Sequence, residues 1–198
     1  MAFAASRPSA SAGVDTRERY AFTVADYHQL IASGHLTKAD RIELIHGEFT
    51  IMPPIGPEHS FHTTRIANSL PLKLPRGVWL RVGEPITLAP DSEPQPDAAV
   101  VKAREDGYRA AHPGPEDVLL VIEVADTSVA FDTQIKAQLY ARAGIQEYWV
   151  LDVPEGCLRV FTEPSAKGYK QLHLFERGDT VASIAVSGLT VAVSEWMA

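Results

Sequence analysis

Val118-Leu-Leu-Val-Ile-Glu-Val124 is a nearly continuous apolar run interrupted by one acid. Its length and β-branched content fit a strand covered on both faces, at the centre of a sheet. A helix is predicted over residues 131–143, where Phe131, Ile135 and Leu139 form an apolar stripe and Gly144 ends it. Glu147-Tyr-Trp-Val-Leu-Asp152 then reads as a second buried strand. Strand, helix and strand in this order imply a parallel crossover. The expected fold is therefore α/β (α+β), a mixed central β-sheet flanked by helices.

Outward from this unit, Asp97-Ala-Ala-Val-Val101 is a strand that begins at an acid, and residues 78–82 and 85–88 fit two short strands before it. Thr23 and Asp26 have the spacing of a helix cap, and Gly34 stops the short helix that follows. Apolar and polar residues roughly alternate over residues 41–52 on either side of His46-Gly47, the pattern of a hairpin. A second helix is expected over residues 58–70. Residues 157–162, 169–175 and 184–193 read as extra antiparallel strands at an edge.

The 198 residues, 45% of them hydrophobic, suffice for one well-buried core. Residues 20–198 are read as a single domain and residues 1–19, rich in Ala and Ser, as a disordered leader. The lone Cys157 excludes an internal disulfide and a thiolate metal site, and it reads as a small buried residue. Nothing approaches the run of about 18 apolar residues needed to span a membrane. A cytoplasmic location is the expectation. The net charge of -7 argues against nonspecific coating of nucleic acid. From His59 to Gly83, however, there is no acid, and Arg65, Lys73, Arg76 and Arg81 fall in that interval. They form either a local nucleic-acid-binding face or an ordinary solvated helix and strand.

Glu123 is the residue that asks for a chemical explanation, because an ionised carboxylate in such a strand costs several kcal/mol unless paired or metal-bound. Asp97 begins another apolar strand, so two carboxylates can meet at neighbouring strand ends. With the backbone carbonyl of Val124 they would form the hard oxygen site preferred by Mg2+ or Mn2+. Taken singly, a turn role for Asp97 and a buried salt bridge for Glu123 remain open. Phosphodiester cleavage also needs a cation beside the attacked phosphate. The strand position sharing the face of Glu123 is Ala125, which leaves Lys136 on the following helix as the candidate, unless it only pairs with Asp132 on the surface. Glu48 and His59 are secondary candidates, with Glu43 as a substitute for Glu48. No histidine spacing suits zinc, and no nucleophile elbow, phosphate-cradling loop or dinucleotide fingerprint is present.

Four pieces of the chain carry a resemblance: Glu-Leu-Ile-His-Gly-Glu at 43–48, Pro-Asp at 96–97, Val-Ile-Glu-Val-Ala-Asp-Thr-Ser at 121–128, and the block from Asp132 through Gln-Ile-Lys136 and Glu-Tyr-Trp-Val-Leu-Asp152. In order and spacing, from about residue 20 to 193, they resemble the Uma family of restriction-endonuclease-like proteins in the PD-(D/E)XK nuclease superfamily. The resemblance implies a restriction-endonuclease-like core, a Mg2+-dependent DNA endonuclease and a homodimer. Asp97 and Glu123 would match the motif carboxylates, with the lysine moved to the helix at Lys136. Many relatives follow the central strand with Ser-Pro-Ser, where this chain has Ala125-Asp126-Thr127-Ser128. A catalytically inactive nucleic-acid-binding or assembly module is the alternative expectation, and a hydrolase with another substrate is a third.

Overall fold

The apolar run becomes strand β5 (Val118–Ala125), buried at every position but Leu119. On one side it pairs antiparallel with β4 (Ala98–Lys102), and on the other it pairs parallel with β6 (Glu147–Asp152). Outside β4 lies β3 (Val78–Val82); beyond β6 follow β7 (Cys157–Ser165) and β8 (Gly168–Glu176), all antiparallel to their neighbours. The result is a six-stranded mixed sheet in the order β3-β4-β5-β6-β7-β8. The computed structural model describes residues 20–88 and 90–197, so the leader expected over residues 1–19 lies outside the described residues.

Side chains alternate across a strand, so the sheet supports two cores. On one face Val100, Ile122, Trp149 and Leu151 meet Ile66 and Leu70, at the end of helix α2 (Pro57–Ser69), and the C-terminal Val191 and Trp196. On the other, Val121, Ala125, Tyr148 and Val150 meet Ile45 and the helical Leu139 and Tyr140. Glu123 shares the parity of Val121 and Ala125, and so faces that second core.

Helix α1 (Val24–Ala32) starts with the reciprocal Thr23 and Asp26 capping box expected from their spacing. The hairpin is β1 (Ile42–Ile45) and β2 (Glu48–Ile51), turned through His46 and Gly47, both at positive φ, as a two-residue hairpin turn requires. Gly47 is also forced by space, because a Cβ there would stand 2.8 Å from that of Ala21.

Three elements differ from expectation. Residues 85–88 form no strand: beyond the single Leu88–Ser92 bridge the segment is irregular, and Pro85, Pro90 and Pro94 cannot donate to a ladder. Residues 184–193 are not one strand either. There, β9 (Thr180–Ala182) and β10 (Thr190–Ala192) make a separate two-stranded sheet, with Gly188 turning between them at φ 78°. Finally, the helix after β5 begins as a π-helical turn (Phe131–Lys136) and only then becomes α3 (Ala137–Arg142). No helix among the described residues is long and apolar enough to cross a membrane.

Candidate functional site

The antiparallel register sets Ala98 opposite Ile122, and one step beyond the ladder it sets Asp97 opposite Glu123. Backbone bonds lock this facing pair: the Asp97 N–H donates to Glu123 Oε2 at 3.2 Å, and the Val124 N–H donates to Asp97 Oδ2 at 2.7 Å. An extended residue points its N–H and C=O to the same edge, so the Val124 carbonyl is presented toward the side of Asp97.

The crossover helix supplies the cation. Lys136 Nζ lies 2.9 Å from Glu123 Oε1 and 3.5 Å from Glu43 Oε1, and the Tyr140 hydroxyl donates to the same Glu123 oxygen at 2.9 Å. Asp132, Lys136 and Tyr140 recur every four residues and are all buried. Asp132 is held by the Ser128 hydroxyl, and its carbonyl accepts from the buried Tyr148 hydroxyl at 3.0 Å. The lysine is thus directed into the site, not paired with Asp132 on the surface. Glu43 enters from the hairpin, and its second oxygen takes the Gln95 N–H at 3.0 Å.

Charge in this cluster is unbalanced. Burial raises the proton affinity of Glu123 well above the usual carboxylate range; Lys136 opposes this, while Asp97, Asp132 and Glu43 add to it. Burial likewise pushes Asp132 up to about 6. Burial works against the Lys136 ammonium, but Glu123, Glu43 and Asp132 outweigh it and hold its pKa above the ordinary value. Tyr140 stays a protonated donor, because burial and Glu123 both raise it.

These groups open into a cleft of about 920 Å³. His59, on α2, lines it with Nε2 3.1 Å from the Asp97 carboxylate, and that hydrogen bond raises its pKa against the effect of partial burial. Glu48 is exposed on β2 opposite Ile45 and does not line the cleft, whereas Glu43 does. The sequence hint for Glu43 is its parity with the buried Ile45. Tyr140 had only the four-residue spacing from Lys136 to mark it, without a role.

The basic residues of 59–83 are not brought together at this cleft. Arg65 donates to the Glu195 and Ser194 carbonyls and covers the Phe61 ring, and Lys73 pairs with Glu195 at 2.9 Å. Arg81 lies over Tyr108 and 3.5 Å from Glu84, while Arg76 is exposed. Cys157 is buried in β7, where burial raises its thiol.

Among the described residues, no group of three or more His, Cys, Asp or Glu is arranged to hold a metal ion. The oxygens of Asp97, Glu123 and the Val124 carbonyl are hard donors carrying more negative charge than Lys136 neutralises. That set suits a cation such as Mg2+, which is held through one or two carboxylates and keeps several waters.

No curated protein matches the chain. Among solved structures it is similar to a "putative nuclease belonging to DUF820 from Anabaena variabilis ATCC 29413", with a TM-score of 0.66 at 16% identity, covering 89% of this chain and 97% of that one. At this identity the likeness is one of fold. The Uma2 family, described as "Putative restriction endonuclease", matches residues 24–194, from the first residue of α1 to two residues beyond β10. The chain belongs to the Uma2 family.

Proposed function

We propose that the protein is a divalent-metal-dependent endonuclease that hydrolyses DNA phosphodiester bonds. The observation that carries this reading is the contact of the Lys136 ammonium with the Glu123 carboxylate, at 2.9 Å, directly across from Asp97. Asp97, Glu123 and the Val124 carbonyl would hold Mg2+ or Mn2+. Bound there, such an ion would supply Lewis-acid polarisation of the phosphate and a lowered pKa for the attacking water. Lys136 stays charged against the carboxylates that surround it, and so offers a fixed positive group to the oxygens of the pentavalent phosphorus. Tyr140 holds the Glu123 oxygen in place, and His59 orients Asp97 from the helix side.

The balance of charge supports a metal requirement. Among the described residues seven carboxylates line the cleft, against two permanent cations, Arg41 and Lys136. A polyanion entering such a cleft meets repulsion that a divalent ion relieves. The family resemblance adds the expectation of a homodimer, and the lone cysteine, which asks for no oxidising compartment, that of a cytoplasmic location.

Incubation with mixed single- and double-stranded DNA in Mn2+ or in EDTA tests the reading, with Asp97→Asn as control. Cleavage only with metal, lost in Asp97→Asn, is expected. The second reading is a catalytically inactive nucleic-acid-binding or assembly module, and the engagement of Arg65, Lys73 and Arg81 with intramolecular partners favours its assembly form. Folded protein that neither binds nor cleaves DNA under any metal would select the assembly form, and binding without cleavage the nucleic-acid-binding one.

A further inference from the structure

Only three buried side-chain nitrogens or oxygens among the described residues have no hydrogen-bond partner: Arg41 Nε, Arg81 Nε and His112 Nδ1. Buried polar groups are satisfied in the great majority of cases, so each exception calls for a reason. Two of the three share a location, because Arg41 and His112 both line the cleft.

Arg41 carries a second mark. It has φ 49° and ψ 57°, a left-handed conformation that costs a residue with a Cβ on the order of 1 kcal/mol. It does so at the entry to β1, two residues before Glu43, where its carbonyl receives the Met52 N–H at 2.8 Å. The hairpin thus fixes the backbone of Arg41 on the cleft wall. One guanidinium nitrogen reaches the Pro53 carbonyl at 3.0 Å, which aims the group without neutralising it. Among the described residues the charges of Arg65, Lys73 and Arg81 face partners of their own, and Lys136 is enclosed by carboxylates. Among the described residues Arg41 is left as the cleft cation with no carboxylate in contact.

His112 lies in the loop between β4 and β5. That loop is tied to the irregular segment before β4, because the Thr87 N–H donates to the Pro113 carbonyl at 2.9 Å. Gln95 connects this wall to the hairpin wall: its backbone N–H bonds Glu43 and its side-chain amide bonds the Gly83 carbonyl at 2.6 Å. The unpartnered nitrogens of Arg41 and His112 therefore belong to braced walls of the cleft that the carboxylates also line.

We propose that Arg41 and His112 bind backbone phosphate of the nucleic-acid strand in the cleft, taking the place of the basic face expected from residues 59–83. This rests on the endonuclease reading and names the residues that hold its substrate. A guanidinium fork matches two phosphate oxygens, and an imidazole N–H supplies one further donor. The predicted Arg65, Lys73 and Arg76 contribute little in comparison.

The test is binding of a short labelled oligonucleotide in Ca2+ across a salt series, together with steady-state cleavage in Mn2+. Arg41→Gln is expected to weaken binding about tenfold or more and to remove about one unit from the slope of log K against log salt, the signature of one lost phosphate contact. It should raise KM with kcat nearly unchanged. Arg41→Lys should retain the slope, and His112→Phe should weaken binding severalfold. If wild type binds and cleaves while Arg41→Gln loses only thermal stability, Arg41 merely braces Pro53 and the proposal is overturned with the endonuclease reading intact. If folded wild type neither binds nor cleaves nucleic acid, both fall.

Discussion

Two buried glutamates on adjacent strands, Glu123 on β5 and Glu147 on β6, have opposite surroundings. Glu147 is fully enclosed by neutral donors: Trp149 Nε1 at 2.8 Å, the Ser183 hydroxyl, and the Ile184 and Ala185 N–H groups at 3.0 Å each. It pins the loop after β9 to the sheet. Glu123 faces an ammonium, a phenol and further carboxylates, beside an open cleft. Burial alone therefore does not mark a site. A carboxylate whose every oxygen is met by neutral protein donors is complete, whereas one crowded by like charge and reached by solvent has chemistry left to do.

The sharpest way to break this comparison is to neutralise each acid. Glu123→Gln is expected to lower cleavage on the order of a thousandfold, in the upper range for a lost transition-state contact, with folding stability unchanged or raised. Glu147→Gln should leave cleavage intact well below the melting temperature, yet cost roughly 2–3 kcal/mol by misplacing a donor against several N–H groups. Urea melts and single-turnover assays on both variants read the two outcomes; an active Glu123→Gln removes the distinction.

Lys136→Ala comes next, with cleavage falling on the order of a hundredfold or more. Here the geometry adds a stability cost, because the carboxylates of Glu123 and Glu43 lose their ammonium. Melting in EDTA should drop, and millimolar Mg2+ should restore part of it if the ion takes up the same charge. Ala125→Lys in that background offers the cation from the strand face shared with Glu123, and partial recovery of cleavage is expected.

Asp132 gives a pH effect in a defined direction. Its pKa is pushed from 3.8 up to about 6, so the folded protein keeps this proton after the unfolded chain has released it. The contribution to stability is fully present below about pH 4 and is lost as pH rises through 6, by up to roughly 3 kcal/mol. Measured from pH 4 to 7, wild type should lose stability relative to Asp132→Asn. Parallel curves would place Asp132 outside the charge cluster.

The smallest contrast is between the two hairpin acids. Glu43→Gln should lower cleavage about tenfold, as the loss of a group that helps hold the Lys136 ammonium in place does. Glu48→Gln, at an exposed position outside the cleft, should leave cleavage unchanged.

Much of the fold lay in local pattern. The Thr23 and Asp26 spacing wrote the first cap, His46-Gly47 wrote the hairpin turn, and the apolar run with its crossover helix wrote the parallel pair at the heart of the sheet. The juxtaposition of Asp97 with Glu123 followed from two acids at strand ends. What failed was non-local. Lys73 is consumed by Glu195, 122 residues away, and nothing near Lys73 announces that. Segment 85–88 has the composition of a strand but lies among prolines, and residues 184–193 contain a turn that apolar content conceals. Glu147 and Glu123 look alike in sequence, and only the loop at 183–185 tells them apart.

The π-helical turn over Phe131–Lys136 makes the lysine a matter of counting. Its widened turn, followed directly by α3, brings Lys136 and Tyr140 to one carboxylate oxygen while Tyr148 meets the Asp132 carbonyl. Adding one more residue between Ala125 and Lys136, which the already widened turn cannot absorb, would rotate every later side chain by about 100° about the helix axis, since an α-helix has 3.6 residues per turn. The chain can therefore exchange letters on the outer surface of this helix freely, yet it has almost no tolerance for an added residue there.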